Sequence, residues 1–238
     1  MKQIPLPMVL PPDQRFDTLV VGPNAHAVQH LQALALAAVA GAPVYLWGAA
    51  GTGKTRLLRA LAAERQAAGE RVGWFSPAAS CPWVHDERWS LVLVDDCDAL
   101  DAAQQQAAFA LFVEAGSLGQ QWAAAGATPP VDLPLRDDLR SRLGWGHVFA
   151  LKPLADGETR AALRREADRR GMLLPDEVID YLQSRFARDI QHLMGLLSQL
   201  DRFALAEQRV VTVPLIKKML AETLTMADDR ANPPQTGA

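Results

Sequence analysis

Gly48-Ala49-Ala50-Gly51-Thr52-Gly53-Lys54-Thr55 follows directly on the apolar run Val44-Tyr45-Leu46-Trp47. It leads into Arg56 to Ala68, a stretch rich in Leu, Ala, Glu and Arg that stops at Gly69. Strand, glycine-rich turn and helix in that order are what a phosphate-binding loop requires. Backbone N–H groups must curl around phosphate oxygens, so the bends need residues that accept positive φ and carry no Cβ. Gly48, Gly51 and Gly53 supply those bends, with Thr52 among them. Lys54 brings a compact positive charge to β- and γ-phosphate oxygens, and Thr55 offers a hydroxyl to Mg²⁺. The helix N-terminus adds its dipole at the same point. ADP or ATP with Mg²⁺ is therefore the expected cofactor; a purely structural glycine turn would not need the strand before it and the helix after it.

The rest of the chain arranges itself around this unit. Upstream, Asn24 is placed as a helix cap, and Val28, Leu31, Ala35 and Ala38 recur at helical spacing up to Gly41. Downstream, Arg71 to Ser76 and Leu91 to Val94 have the apolar character of buried strands. A helix is expected over 101–116, a weak strand near 122–126, a helix near 135–142 and a strand near 147–151. Alternating strands and helices predict an α/β fold with a parallel sheet. From Pro153 the pattern becomes purely helical: 156–171, 175–185, 187–206 and 214–224. The predicted organisation is an N-terminal tail over 1–12, a nucleotide-binding α/β domain over 13–152, a small helical domain over 153–226 and an unstructured tail over 227–238.

Composition sets limits. With 238 residues and 49% hydrophobic content the chain can build one large core and one small one. Its formal net charge of −3 removes the global basic field that drives non-specific nucleic-acid binding, so strong direct DNA binding is not expected. Prolines at 5, 7, 11 and 12 exclude a secretory leader, and Gly41, Pro43 and Gly48 interrupt the longest apolar stretch, so a cytoplasmic protein with no membrane association is expected. Cys81 and Cys97 have no metal-ligand spacing, and His26 and His30 on one helix face make half a site at most.

The third strand ends in Asp95 and Asp96. Ligands in open α/β sheets sit at the carboxyl ends of strands, so Asp95 is the expected carboxylate on the Mg²⁺ side and Asp96 the group that orients or activates the attacking water. Asp98 and Asp101 suit turn and cap positions.

These motifs, taken with several others, resemble the AAA+ proteins of the DnaA lineage over almost the whole chain. Phe16-Asp17-Thr18-Leu19-Val20-Val21-Gly22 with Asn24 is similar to the lineage's opening segment, which implies that Phe16 and Val21 lie by the adenine. GAAGTGKT at 48–55 and VDD at 94–96 match its two nucleotide motifs. Leu139-Arg140-Ser141-Arg142-Leu143-Gly144-Trp145-Gly146 resembles the box holding the arginine finger, which implies that Arg142 reaches a neighbouring subunit's nucleotide, Arg140 being the other arginine of the box. Ala187-Arg188-Asp189-Ile190 resembles the start of the lid helix, which implies that Arg188 touches the phosphates. A finger supplied in trans makes hydrolysis depend on assembly, because guanidinium stabilises charge spreading over the γ-phosphate. It could equally serve a homodimer.

Three differences refine the resemblance. No helix-turn-helix segment follows the lid region, so origin reading by that device is not expected. Between Ser76 and Leu91 stand 14 residues, too few for the paired helices that DnaA-type initiators insert there. The first-sensor place, where the lineage often has aspartate, holds Ala127, with Thr128 as a substitute, so feeble intrinsic hydrolysis is expected. At the N-terminus, Gln3-Ile4-Pro5-Leu6-Pro7-Met8 resembles the bacterial sliding-clamp-binding peptide: Gln3 would bond at a pocket rim while Ile4, Leu6 and Met8 supply the spaced apolar residues and the prolines keep the segment extended. The combination is similar to the Hda family of DnaA-related regulators. It implies DnaA and the DNA polymerase III sliding clamp as partners, and stimulation of DnaA's ATP hydrolysis, to give inactive ADP-DnaA, as the activity. The competing expectation is an ATP-hydrolysing helicase loader or DNA-remodelling motor. Its only basic cluster, Arg160, Arg164, Arg165, Arg169 and Arg170, is interleaved with Glu158, Glu166 and Asp168, as on a solvated helix face.

Overall fold

The computed structural model describes residues 15–37, 41–186 and 190–231, which form two compact units that divide at Leu154/Ala155. The first is built on a five-stranded sheet: β1 (Val44–Trp47), β2 (Arg71–Phe75), β3 (Trp89–Val94), β4 (Gln121–Gly126) and β5 (His147–Ala150). Every pairing is parallel, in the spatial order β2-β3-β4-β1-β5. The central strands bury both faces, and the period of two decides which residue goes where. Val44, Leu46, Leu91, Leu93, Ala123 and Ala125 face one core with α1 (Ala25–Leu36) and α2 (Lys54–Ala67). Tyr45, Val92, Val94, Trp122 and Ala124 face the other with α3 (Ala102–Ser117) and α4 (Asp137–Trp145).

β4 looked weak in sequence because it lacks β-branched residues, yet all six of its residues are buried at the middle of the sheet. Small side chains are needed there. A Cβ on Gly126 would stand 2.3 Å from the Tyr45 hydroxyl oxygen. Several buried polar side chains of this unit tie loops to elements. Gln121 accepts from Gly41 N at 2.7 Å and donates to Ala42 O at 3.1 Å. Buried Arg65 donates to Leu34 O at 2.7 Å, near the C-terminus of α1, and pairs with Glu70 at 2.8 Å.

Several expectations are adjusted. Asn24 occupies the cap position of α1 but makes no cap bond; its amide instead exchanges two 2.9 Å bonds with the backbone of Lys152, 128 residues away. His30 is not on a solvated face: its ring lies 4.3 Å from that of His147 on β5, and burial first, then the His147 charge, lowers its pKa. No metal-holding group of three His, Cys, Asp or Glu occurs among the described residues. The 76–88 segment contains turns and no helix, with the Trp83 ring tilted against that of Phe75 at 4.8 Å.

The second unit is four helices, α5 (Asp156–Arg169), α6 (Asp176–Arg185), α7 (Ile190–Glu207) and α8 (Val213–Ala231), around a core that includes Leu163, Val178, Ile179, Leu193, Leu197 and Ile216. α8 continues to Ala231, into the stretch expected to be unstructured, because no proline or glycine interrupts it before Pro233. Four of the five arginines of the basic cluster are paired internally: Arg160 with Asp176 and Asp180, Arg164 with Asp176, and Arg169 and Arg170 with Glu166. No described helix is long and apolar enough to cross a membrane.

Candidate functional site

The phosphate loop connects β1 to α2 at the carboxyl edge of the sheet. Gly48, Gly51 and Gly53 have φ of 152°, 79° and 96°. At Gly48 the requirement is doubled, since a Cβ would also meet Leu151 O at 2.5 Å and Thr52 Oγ1 at 3.2 Å. Gly53 caps α2 in the left-handed region with no side-chain acceptor, which leaves the first-turn N–H groups of the helix to whatever the loop encloses. Thr52 Oγ1 donates to Ala49 O at 2.9 Å. Lys54, 8% exposed, donates from Nζ to Gly48 O at 2.7 Å and Ala49 O at 3.0 Å. The ammonium is thus held across the loop, where phosphate oxygens can replace these carbonyls as its acceptors.

Asp95 follows the last residue of β3 and is 4% exposed. Its carboxylate accepts from the Thr55 hydroxyl and from Asp96 N, the latter at 3.1 Å. Burial, aided by the Asp96 charge, pushes its pKa up against these bonds and the pull of Arg59. Thr55 and Asp95 are hard oxygen donors side by side, and a buried carboxylate in want of positive charge fits Mg²⁺. A carboxyl whose folded pKa is raised favours the native state at low pH and opposes it as pH rises through that pKa. Asp95→Asn is therefore expected to raise the thermal midpoint of the nucleotide-free protein at pH 7 by about 2 °C, while weakening Mg²⁺-dependent nucleotide binding; calorimetry with and without Mg²⁺-nucleotide checks both signs.

Asp96 is exposed and left-handed, φ 49°. Behind it lies a latch that the sequence did not reveal. Asp98 accepts from Ala127 N at 2.9 Å, and Tyr45, fully buried, donates to Thr128 O at 2.8 Å. The loop leaving β4 is thereby pinned to the turn after β3. The Thr128 hydroxyl is buried with no hydrogen-bond partner among the described residues. Cys97 lies against Tyr45, and burial pushes its thiol up to about 12, so it is no nucleophile. Asp101 caps α3 in a reciprocal capping box with Gln104.

Phe16, in a short 3₁₀ turn (Phe16–Thr18), is 5% exposed and sits in the α1/α2 core, with Val21 half-buried against it. Arg56 donates to Thr18 O at 3.0 Å and so joins this segment to the phosphate-loop helix. On α4, exposed Arg142 lies 5.3 Å and 5.5 Å from the ring centres of Phe109 and Phe112. Its neighbours are neutralised, Arg140 by Asp137 and Arg136 by Asp138, both at 2.7 Å. Arg142 has no carboxylate partner among the described residues. Arg188, Gln3, Ile4, Leu6 and Met8 lie outside the described residues.

Comparisons with known proteins agree with this arrangement. The model for the bacterial DnaA ATPase domain matches residues 10–78, and that for the Hda lid domain matches 156–220. Among solved structures, domain III of the Thermotoga maritima replication initiation protein DnaA superposes with a TM-score of 0.75 at 21% identity, covering 89% of this chain and 97% of that one. AMPPCP-bound DnaA from Aquifex aeolicus gives 0.64 at 22%, over 80% of this chain and 65% of the longer one. The Thermotoga maritima RuvB Holliday junction branch migration motor gives 0.60 at 18%, over 83% and 67%. With a DnaA-type ATPase segment, an Hda-type lid and a five-stranded parallel sheet carrying the phosphate loop, the chain is similar to the Hda/DnaA-related AAA+ proteins.

Proposed function

We propose that this protein is a clamp-tethered regulator of replication initiation that, with nucleotide bound, stimulates DnaA to hydrolyse its ATP. The observation that carries the reading is the pairing of a DnaA-type ATPase segment with an Hda-type lid. It is supported by Arg142, a guanidinium left without a carboxylate partner among the described residues while those beside it are paired. DnaA structures bound to AMPPCP support a nucleotide in the same loop here. In this reading Gly48, Gly51, Thr52, Gly53 and Lys54 hold the phosphates, Thr55 and Asp95 hold Mg²⁺, and Phe16 and Val21 form the wall on the adenine side. Arg188 is the proposed further phosphate ligand. The bound nucleotide supplies charge that fixes the loop, and ADP suffices for that.

The chain's own hydrolysis is proposed to be slow. Ala127 offers no polar side chain, its N–H is taken by Asp98, and the Thr128 hydroxyl that could substitute is buried, so Asp96 is the group assigned to orient water. Chemistry happens instead on the partner. Arg142 enters the DnaA site and stabilises charge on the γ-phosphate as the bond to it breaks, a role worth about 10³-fold or more in rate for arginine fingers. The internal pairing of the α5 arginines supports a partner that is protein and not DNA.

Tethering comes from Gln3, Ile4, Leu6 and Met8, which dock in the clamp and raise the local concentration near DNA-bound DnaA. The double substitution Gln3→Ala with Leu6→Ala is expected to lower clamp affinity at least about 100-fold and leave nucleotide affinity unchanged, as checked by surface plasmon resonance against immobilised clamp and by nucleotide titration. Unaltered clamp binding would remove the tether from the proposal.

A further inference from the structure

The helix that carries Arg142 presents a second feature that nucleotide chemistry leaves unused. Trp145 lies three residues on, along the same side of α4, and is 76% exposed. The backbone leaves it little choice. A Cβ on Gly146 would come within 1.9 Å of Pro43 O, so the chain closes tightly on Pro43 after α4, and His147 N bonds to that same carbonyl at 2.8 Å. Gly144 is also snug, though less so, its would-be Cβ 3.3 Å from Pro130. That contact sets the short helix Pro130–Asp132 against the last turn of α4, where Val131 is also 76% exposed.

Single exposed apolar residues are ordinary. An exposed indole with an exposed valine on the adjoining element, next to a cation with no carboxylate partner among the described residues, is a different pattern. Tryptophan and arginine dominate the few residues that carry interface energy. The charge states which occupant fits: Arg142 asks for an anion, and the apolar pair asks for a protein surface around that anion. A nucleotide-loaded AAA+ module offers both, a polyphosphate at the edge of a folded domain.

We propose that Arg142, Trp145 and Val131 form one docking face for the nucleotide-bearing edge of a second AAA+ module, with Trp145 supplying affinity and Arg142 supplying rate. This rests on the reading that Arg142 acts on the partner's nucleotide. The division of labour separates the two residues experimentally, because loss of uniform binding and loss of transition-state stabilisation move different parameters.

The test uses the full chain, DNA-loaded clamp and ATP-DnaA, with hydrolysis followed as this protein is titrated. Trp145→Ala is expected to raise the half-maximal concentration about 10-fold with the plateau rate unchanged, and Trp145→Phe by no more than about 3-fold. Arg142→Ala is expected to lose the plateau. Thermal midpoints of both Trp145 variants should match the parent, because the side chain is exposed. A half-maximal concentration unmoved by Trp145→Ala overturns the anchor and leaves the finger standing, as does a fall in plateau alone. Absence of stimulation by the parent protein overturns the underlying reading, and the anchor with it.

Discussion

Arg142→Ala is expected to bind nucleotide and clamp like the parent protein and to lose about 1000-fold of the stimulated DnaA hydrolysis rate. The size follows from where the charge sits. Among the described residues Arg142 makes no ion pair that would have to be broken, and the rings of Phe109 and Phe112 hold it toward the surface through weak cation–π contacts. These exposed contacts are the only ones among the described residues that use its charge, so its removal should shift thermal melting little and show chiefly in rate. Arg140→Ala is the matched control: it removes a solvent-exposed pair with Asp137, a kind of contact that contributes roughly 0 to 1 kcal/mol, and should keep most of the activity. Single-turnover hydrolysis of labelled ATP on DnaA measures both. Equal loss in the two variants would place the role on the helix as a whole and not on Arg142.

Lys54→Ala is expected to weaken ADP and ATP binding about 100-fold, equivalent to roughly 3 kcal/mol, the upper range for hydrogen bonds from a charged group. Nζ spans the carbonyls of Gly48 and Ala49, so the ammonium both prearranges the loop and stands ready for phosphate. The loss should therefore appear in affinity for either nucleotide, and stimulation of DnaA should be recovered in part at saturating ADP. Isothermal titration gives the affinity directly. Binding within about 3-fold of the parent would show that the loop holds something other than phosphate.

Local spacing made the fold legible. Glycines at 48, 51 and 53 after Val44–Trp47 announce a strand–loop–helix unit, and the runs at 71–76 and 91–94 announce buried strands, because parallel sheets covered on both faces need continuous apolar sequence. β4 was faint for the opposite reason: Ala123, Ala124 and Ala125 are selected by how closely helices and Tyr45 approach, a property of the packed state that strand propensity does not register. The latch behind the nucleotide edge was illegible altogether. Asp98 meets Ala127 and Tyr45 meets Thr128 across separations of 29 and 83 residues, so no window of sequence contains either pair. Asn24 shows the same limit, since a residue with ideal capping chemistry gives its amide to Lys152 instead. Nor could spacing distinguish Arg142 from Arg140, whereas the distribution of carboxylates around α4 does separate them.

The most direct test of the central claim is the fraction of ATP-DnaA converted to ADP-DnaA when this protein is added with ADP and DNA-loaded clamp, beside a variant lacking residues 1–8. The account predicts conversion that requires both the clamp and the N-terminal segment. Full conversion without clamp, or none with every component present and nucleotide bound, would contradict it.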